Sequence, residues 1–171
     1  MSKKFYGKHF MISETVTLGL KRFFMTIDPK AREKGLIALG LQLINNSVNG
    51  SPNESVRAPI RDGRLRGSGT VFVGSKKVGD TMFLGKGGTP AQSYTESNKN
   101  VATVGFNTEY AANMHENLQP YGDRFIPGGH GGRPQSYVAD VGGKFLELHL
   151  KADRKELLKL YADIYRKNAG T

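Results

Sequence analysis

At 171 residues, with 37% hydrophobic side chains and no tryptophan, the chain has the length for one domain with a modest core and is short for two. It contains no cysteine, which excludes disulfides, thiol chemistry and cysteine-based zinc sites, and fits a reducing compartment. The net charge of +10 admits a nucleic acid, an acidic protein partner or plain solubility, and no apolar run approaches the ~20 residues of a membrane span.

The charge is unevenly spread. Residues 1–34 carry +5 (8 basic, 3 acidic) and residues 144–171 carry +3 (7 basic, 4 acidic), while residues 101–143 carry −2 (2 basic, 4 acidic). Neither an RNP-like aromatic motif nor zinc-finger spacing accompanies the basic residues, so sequence-specific nucleic-acid reading is not indicated. Glycine clusters in residues 63–88 and 128–143, which predicts long loops or arms around a compact centre.

In chain order, residues 1–14 are basic and polar with scattered Phe5, Tyr6 and Phe10, and read as a mobile or partner-docked arm. The apolar Phe10-Met11-Ile12 gives way at once to Ser13-Glu14, too short for the core of a signal peptide, so a soluble protein without an export signal is expected. Residues 14–20 alternate like a brief strand, and residues 18–27 fit the start of a helix with Leu20, Phe23 and Phe24 inward.

The first strong helix starts at Asp28-Pro29. Asp28 can accept from the free amides, and Pro29 lacks only an N–H that the first turn does not use. Leu36, Leu39, Leu43, Ile44 and Val48 follow at helical spacing, and Asn49-Gly50 ends a helix of about 20 residues, ~30 Å long. Gly35 and Gly40 weaken such a helix in isolation but permit a neighbour to approach closely.

A polar linker at 51–55 precedes a turn with Pro59 and Asp62-Gly63, and Leu65 then leads into a strand with Val71, Phe72 and Val73. Residues 77–84 read as a second strand with residues 76–79 as the turn, and 85–100 as a polar loop or extended hairpin arm. Residues 76–100 as a whole therefore count as a long loop region. Val101 to Phe106 return to the sheet, residues 109–117 form a short helix, and 120–143 is a second long loop. Residues 144–150 fit strand or helix. The last helix starts at Asp153, with Glu156 three residues on resembling a capping box, and buries Leu157, Tyr161, Ile164 and Tyr165. The expected fold is one α+β domain over 1–171: a small, mostly antiparallel sheet packed by a long N-terminal helix and a C-terminal helix, with long extended loops.

Chemistry is sparse. Gly85-Lys86-Gly87-Gly88-Thr89 lacks the spacing of a phosphate-binding P-loop, with Asp80 where the first glycine belongs. His9, His115, His130 and His149 contain no pair at the i, i+4 spacing of a helical metal site. Ser68 and Ser75 lie in no nucleophile elbow, and the carboxylates are scattered. The expectation is no catalytic residue, no metal and no cofactor. The densest basic feature is Arg57, Arg61, Arg64 and Arg66, suited to phosphate, to carboxylates of a neighbouring subunit, or to a solvated turn. Gly63 and Leu65 make it a structured turn, which favours protein–protein use.

Certain short motifs resemble a known family. Pro59, Asp62-Gly63, Leu65-Arg66 and Ser68 before a strand are similar to the "proline, then Gly-x-Leu-x-x-Ser" segment of tail-completion or head–tail joining (neck) proteins of tailed bacteriophages. Val104-Gly105-Phe106, then Tyr110-Ala111 and His115-Glu116, resembles a second block of that family. Lys144-Phe145-Leu146 before a terminal helix resembles a third. The blocks span roughly residues 16–168, and each is short; their order and spacing carry the likeness. Arg61-Asp62 stands where Asp-Thr is frequent, and the loops at 74–100 and 120–143 look long.

The resemblance implies a non-enzymatic virion protein, assembled in the host cytoplasm into a homo-oligomeric ring of six or twelve copies at the neck. Its partners would be a portal-side connector and a tail terminator or tail tube, with DNA passing through the lumen without sequence readout and no membrane. Arg57, Arg61, Arg64, Arg66, Tyr110, Met114 and Glu116 would form the subunit or partner interface, with Tyr110 as core anchor, Glu116 as exposed contact and His115 without catalytic role. The competing class is a small basic nucleic-acid-binding protein.

Overall fold

The computed structural model describes residues 6–7, 10–16, 28–59, 63–84, 87–116 and 144–169. The fold is α+β. Five strands, β1 (Tyr6–Gly7), β2 (Phe10–Val16), β3 (Gly69–Val73), β4 (Lys76–Asp80) and β5 (Ala102–Phe106), form one antiparallel sheet in the order β1-β2-β5-β3-β4. The helices are α1 (Pro29–Asn49), the short α2 (Ala111–Glu116), α3 (Phe145–Ala152) and α4 (Arg154–Asn168). Single 3-10 turns occupy Arg66–Ser68 and Met82–Leu84.

Helix α1 begins where its sequence says it should. The Asp28 carboxylate accepts from the Lys30 amide at 2.8 Å and the Ala31 amide at 3.4 Å, and Pro29 opens the first turn. Its buried stripe, Leu36, Leu39, Leu43, Ile44 and Val48, lies over β3 and β5. Both internal glycines are contact points. A Cβ on Gly35 would lie 2.8 Å from the Tyr161 ring of α4, and one on Gly40 would lie 2.6 Å from Val71 Cγ1 of β3.

Strand alternation splits β3 between two cores. Val71 and Val73 join Ala102, Val104 and Phe106 of β5 under α1, α3 and α4. Phe72 faces the other way, where Ala91 and Tyr94 cover it; the Phe72 and Tyr94 rings lie 5.6 Å apart. The segment 87–100 has no regular structure, yet it is fastened along this back face. The Ala91 amide donates to Thr70 Oγ1 at 2.9 Å, Ser75 Oγ to the Glu96 carbonyl at 2.9 Å, and Asn107 Nδ2 to the Thr89 carbonyl at 2.9 Å. It is a sheet cover more than a swinging arm.

Elsewhere the structure revises the sequence reading. Much of the expected N-terminal arm is sheet: β2 pairs with β5 from Met11↔Phe106 to Val16↔Ala102, and Tyr6–Gly7 pairs with β2. The reason is backbone accounting, because β3 satisfies only one edge of β5 and the other edge needs a strand. The β3–β4 turn is Gly74-Ser75, with Val73 opposite Lys76, and not residues 76–79. Gly74 takes φ +56°, a conformation that suits a two-residue hairpin loop. Of residues 144–150, those from Phe145 on are helical, in α3, and Lys144 precedes the helix at φ +56°. The expected helix at 18–27 and the loop at 120–143 lie outside the described residues.

Candidate assembly interface at one end of the sheet

Topology gathers the expected interface residues. Gly69 at the start of β3 pairs with Phe106 at the end of β5, and Thr70 pairs with Asp80 at the end of β4. The segments before β3, after β4 and after β5 therefore emerge at one end of the sheet. The Asn107 amide donates to the Ser68 carbonyl at 3.2 Å, tying two of them together.

The arginine run divides there. Arg64 is exposed and Arg57 half-buried, while Arg61 lies outside the described residues. Arg66 is only 9% exposed: its Nε donates to the Ala58 carbonyl at 2.8 Å, and its buried Nη2 has no hydrogen-bond partner among the described residues. Burial, and next the nearby Arg57 charge, push the Arg66 guanidinium below its ordinary pKa. Arg66 thus holds its own subunit together, and the expectation that it reaches a neighbour does not fit its inward position. Its neighbour Gly63 takes φ +82° and accepts from the Gly67 amide at 2.8 Å, which turns the chain into the 3-10 segment.

Helix α2 follows β5 after the Asn107-Thr108 turn. Tyr110 and Met114 are half-buried and pack against the main core. His115 is buried, its ring edge-on to Phe145 at 5.0 Å, and Phe145 is in turn edge-on to Phe106 at 5.3 Å. Burial pushes the His115 ring below its ordinary pKa, against the opposing pull of Glu116. The ring serves packing. Glu116 is exposed and meets Lys144 Nζ at 2.6 Å; that ion pair lowers the carboxyl and raises the ammonium. Lys144 also approaches Glu147 at 3.5 Å, so a partly exposed chain of charges links α2 to the start of α3.

Two features escaped the sequence reading. The first is a buried polar cluster around Asp153. Its Oδ1 accepts from Ser51 Oγ at 2.7 Å and Asn53 Nδ2 at 3.0 Å, and its Oδ2 from Asn46 Nδ2 at 2.8 Å and His149 Nδ1 at 3.0 Å. The side chain does not cap α4 as expected, because these four donors hold it turned back toward the end of α1. The sequence signal was present: His149 and Asp153 stand four apart on one helical stretch. The second is the exposed pair Met82 and Phe83, whose short turn was read as strand.

Among the described residues, no group of three or more His, Asp or Glu side chains is placed to hold a metal ion, and no helix is long and apolar enough to cross a membrane. Compared with protein-family models, curated proteins and solved structures, the chain matches none.

Proposed function

We propose that this chain is a non-enzymatic structural protein of a tailed-bacteriophage virion, assembling as a ring in the neck between a portal-side connector and the tail. The observation that carries the reading is the convergence of the three family-like blocks on one core. The Pro59–Ser68 block leads into β3, the Val104–Glu116 block forms β5 and α2, and the Lys144–Leu146 block opens α3. Leu65, Val104, Phe106, Phe145 and Leu146 from these blocks share one buried cluster. The blocks also leave Arg64, Tyr110, Met114 and Glu116 at one end of the sheet, an arrangement suited to contact with another subunit. DNA passes through such a ring on charge alone, without base readout.

Size-exclusion chromatography with light scattering, on the chain alone and with a portal-side connector, tests this. Rings of uniform mass are expected in at least one of the two. Arg64→Glu is expected to reduce ring formation while leaving the monomer's circular dichroism and melting temperature unchanged. Arg66→Glu is a poor choice, since it would set a carboxylate beside the Ala58 carbonyl inside the subunit. A chain that stays monomeric with its connector, yet binds duplex DNA tightly, would establish the small basic nucleic-acid-binding protein instead.

A further inference from the structure

Asn49-Gly50 is the single Asn-Gly pair in the sequence, and such a pair is chemically labile. The amide nitrogen after an asparagine can attack the side-chain Cγ, and glycine, which has no Cβ, hinders that attack least. The pair closes α1. Asn49 is its exposed last residue, and Gly50 follows as its cap at φ +83°.

In the closed corner the attack has no geometry to follow. A helical amide points back along its own helix, and the Gly50 N–H donates to the Asn46 carbonyl at 2.7 Å. The Asn49 side chain is turned back as well, its Nδ2 donating to Asn45 Oδ1 at 2.9 Å. Last turns of helices ordinarily fray, which would free this amide. Here the residues on both sides of it are tied to one buried carboxylate. Asn46, which accepts from Gly50, donates its Nδ2 to Asp153 Oδ2 at 2.8 Å, and its Oδ1 accepts from Gln42 Nε2 at 2.7 Å. Ser51, directly after Gly50, donates Oγ to Asp153 Oδ1 at 2.7 Å and its amide to the Glu54 carbonyl at 2.8 Å. The Gly50 amide is therefore released when the Asp153 cluster lets go of one side.

We propose that Asn49 is a site of spontaneous deamidation gated by the Asp153 cluster. When the corner opens, the Gly50 amide gives its proton to base in the solvent and its nitrogen bonds to Asn49 Cγ. The bond from Cγ to Nδ2 breaks, and Nδ2 leaves as ammonia. Water then opens the resulting cyclic imide at either carbonyl, leaving aspartate or isoaspartate. Both products put a carboxylate in the last turn of α1, at the negative end of the helix dipole. The isoaspartyl form also lengthens the main chain by one carbon before Ser51. Each change works against the bonds to Asp153. The site does not depend on the neck assignment.

Peptide mapping by mass spectrometry tests this on the full chain, incubated in mildly alkaline buffer with and without urea. Conversion of Asn49 is expected to be at least about tenfold slower in the folded wild type than in urea. Asp153→Asn is expected to recover most of that factor under native conditions. Ser51→Ala removes one of the four bonds to the carboxylate. It is expected to recover part of the factor at an unchanged circular dichroism spectrum, and it decides the matter where Asp153→Asn does not fold. In urea all three chains are expected to convert at one rate. A folded wild type that converts as fast as the unfolded chain overturns the proposal, because nothing then gates the site. So does folded Ser51→Ala that reacts no faster than wild type, or conversion of the folded chain that maps to other asparagines and leaves Asn49 intact.

Discussion

Asp153 is 1% exposed and accepts four hydrogen bonds, so a charge is buried with its full complement of donors. Its partner His149 is equally enclosed, with Nδ1 toward the Asp153 carboxylate and Nε2 2.7 Å from the Val56 carbonyl. The cluster joins the end of α1, the 51–56 linker and the α3–α4 corner through side chains alone. Asp153→Asn removes the charge and turns an amide donor toward donors; a loss of about 3 kcal/mol or more is expected in urea unfolding. Burial by itself raises the Asp153 carboxyl, but the bonds from Ser51, His149, Asn46 and Asn53 together hold it below its ordinary value. A depressed folded pKa contributes stability that is complete above the unfolded value of about 3.9 and is lost as pH falls through the folded pKa. Unfolding measured from pH 6 down to pH 3 should therefore fall more steeply for the wild type than for Asp153→Asn. Parallel curves would mean that the carboxylate is not the group whose protonation loosens this corner.

At the level of elements, α1 is the body against which the sheet and both C-terminal helices are set, and its glycines fix how closely. Gly40→Ala tests this with two opposed effects. Alanine gains about 1 kcal/mol of helix propensity at most. Against that, the new Cβ would meet Val71 Cγ1 at 2.6 Å, and Val71 is fully buried and β-branched, so it has no rotamer to retreat into. Overpacking of this kind costs about 1–3 kcal/mol, so a net loss is expected, seen as a lower urea midpoint at unchanged slope. A raised midpoint would show that α1 can lift off β3 without penalty. The limits of α1 were legible because cap, proline, apolar period and terminal glycine agreed. The role of Asp153 was not, because a cap and a buried hub have the same local sequence, and only the return of α4 to the end of α1 decides between them. Strand β2 was legible only at its end, in the alternation from Glu14, for a similar reason: its pairing with β5 spans some ninety residues of chain, as Val16↔Ala102 illustrates. Arg66 shows the limit within the candidate site itself. Four arginines in ten residues look alike in sequence, and burial alone separates Arg66 from Arg64.

For the whole molecule, the net charge of +10 sets how the proposed self-assembly would respond to salt. Copies that each carry this charge repel over the Debye length, about 30 Å at 0.01 M salt and about 8 Å at 0.15 M. A ring of such copies must be held by short contacts, apolar and arginine–carboxylate, that are partly dry and less screened than the repulsion between the bodies. Raising the salt from about 0.01 M to about 0.15 M is therefore expected to increase the ring fraction seen by light scattering. Rings that dissolve as salt rises would show that exposed ion pairs hold the copies together, and would favour Glu116, with its Lys144–Glu147 neighbours, over Tyr110 and Met114 as the subunit contact.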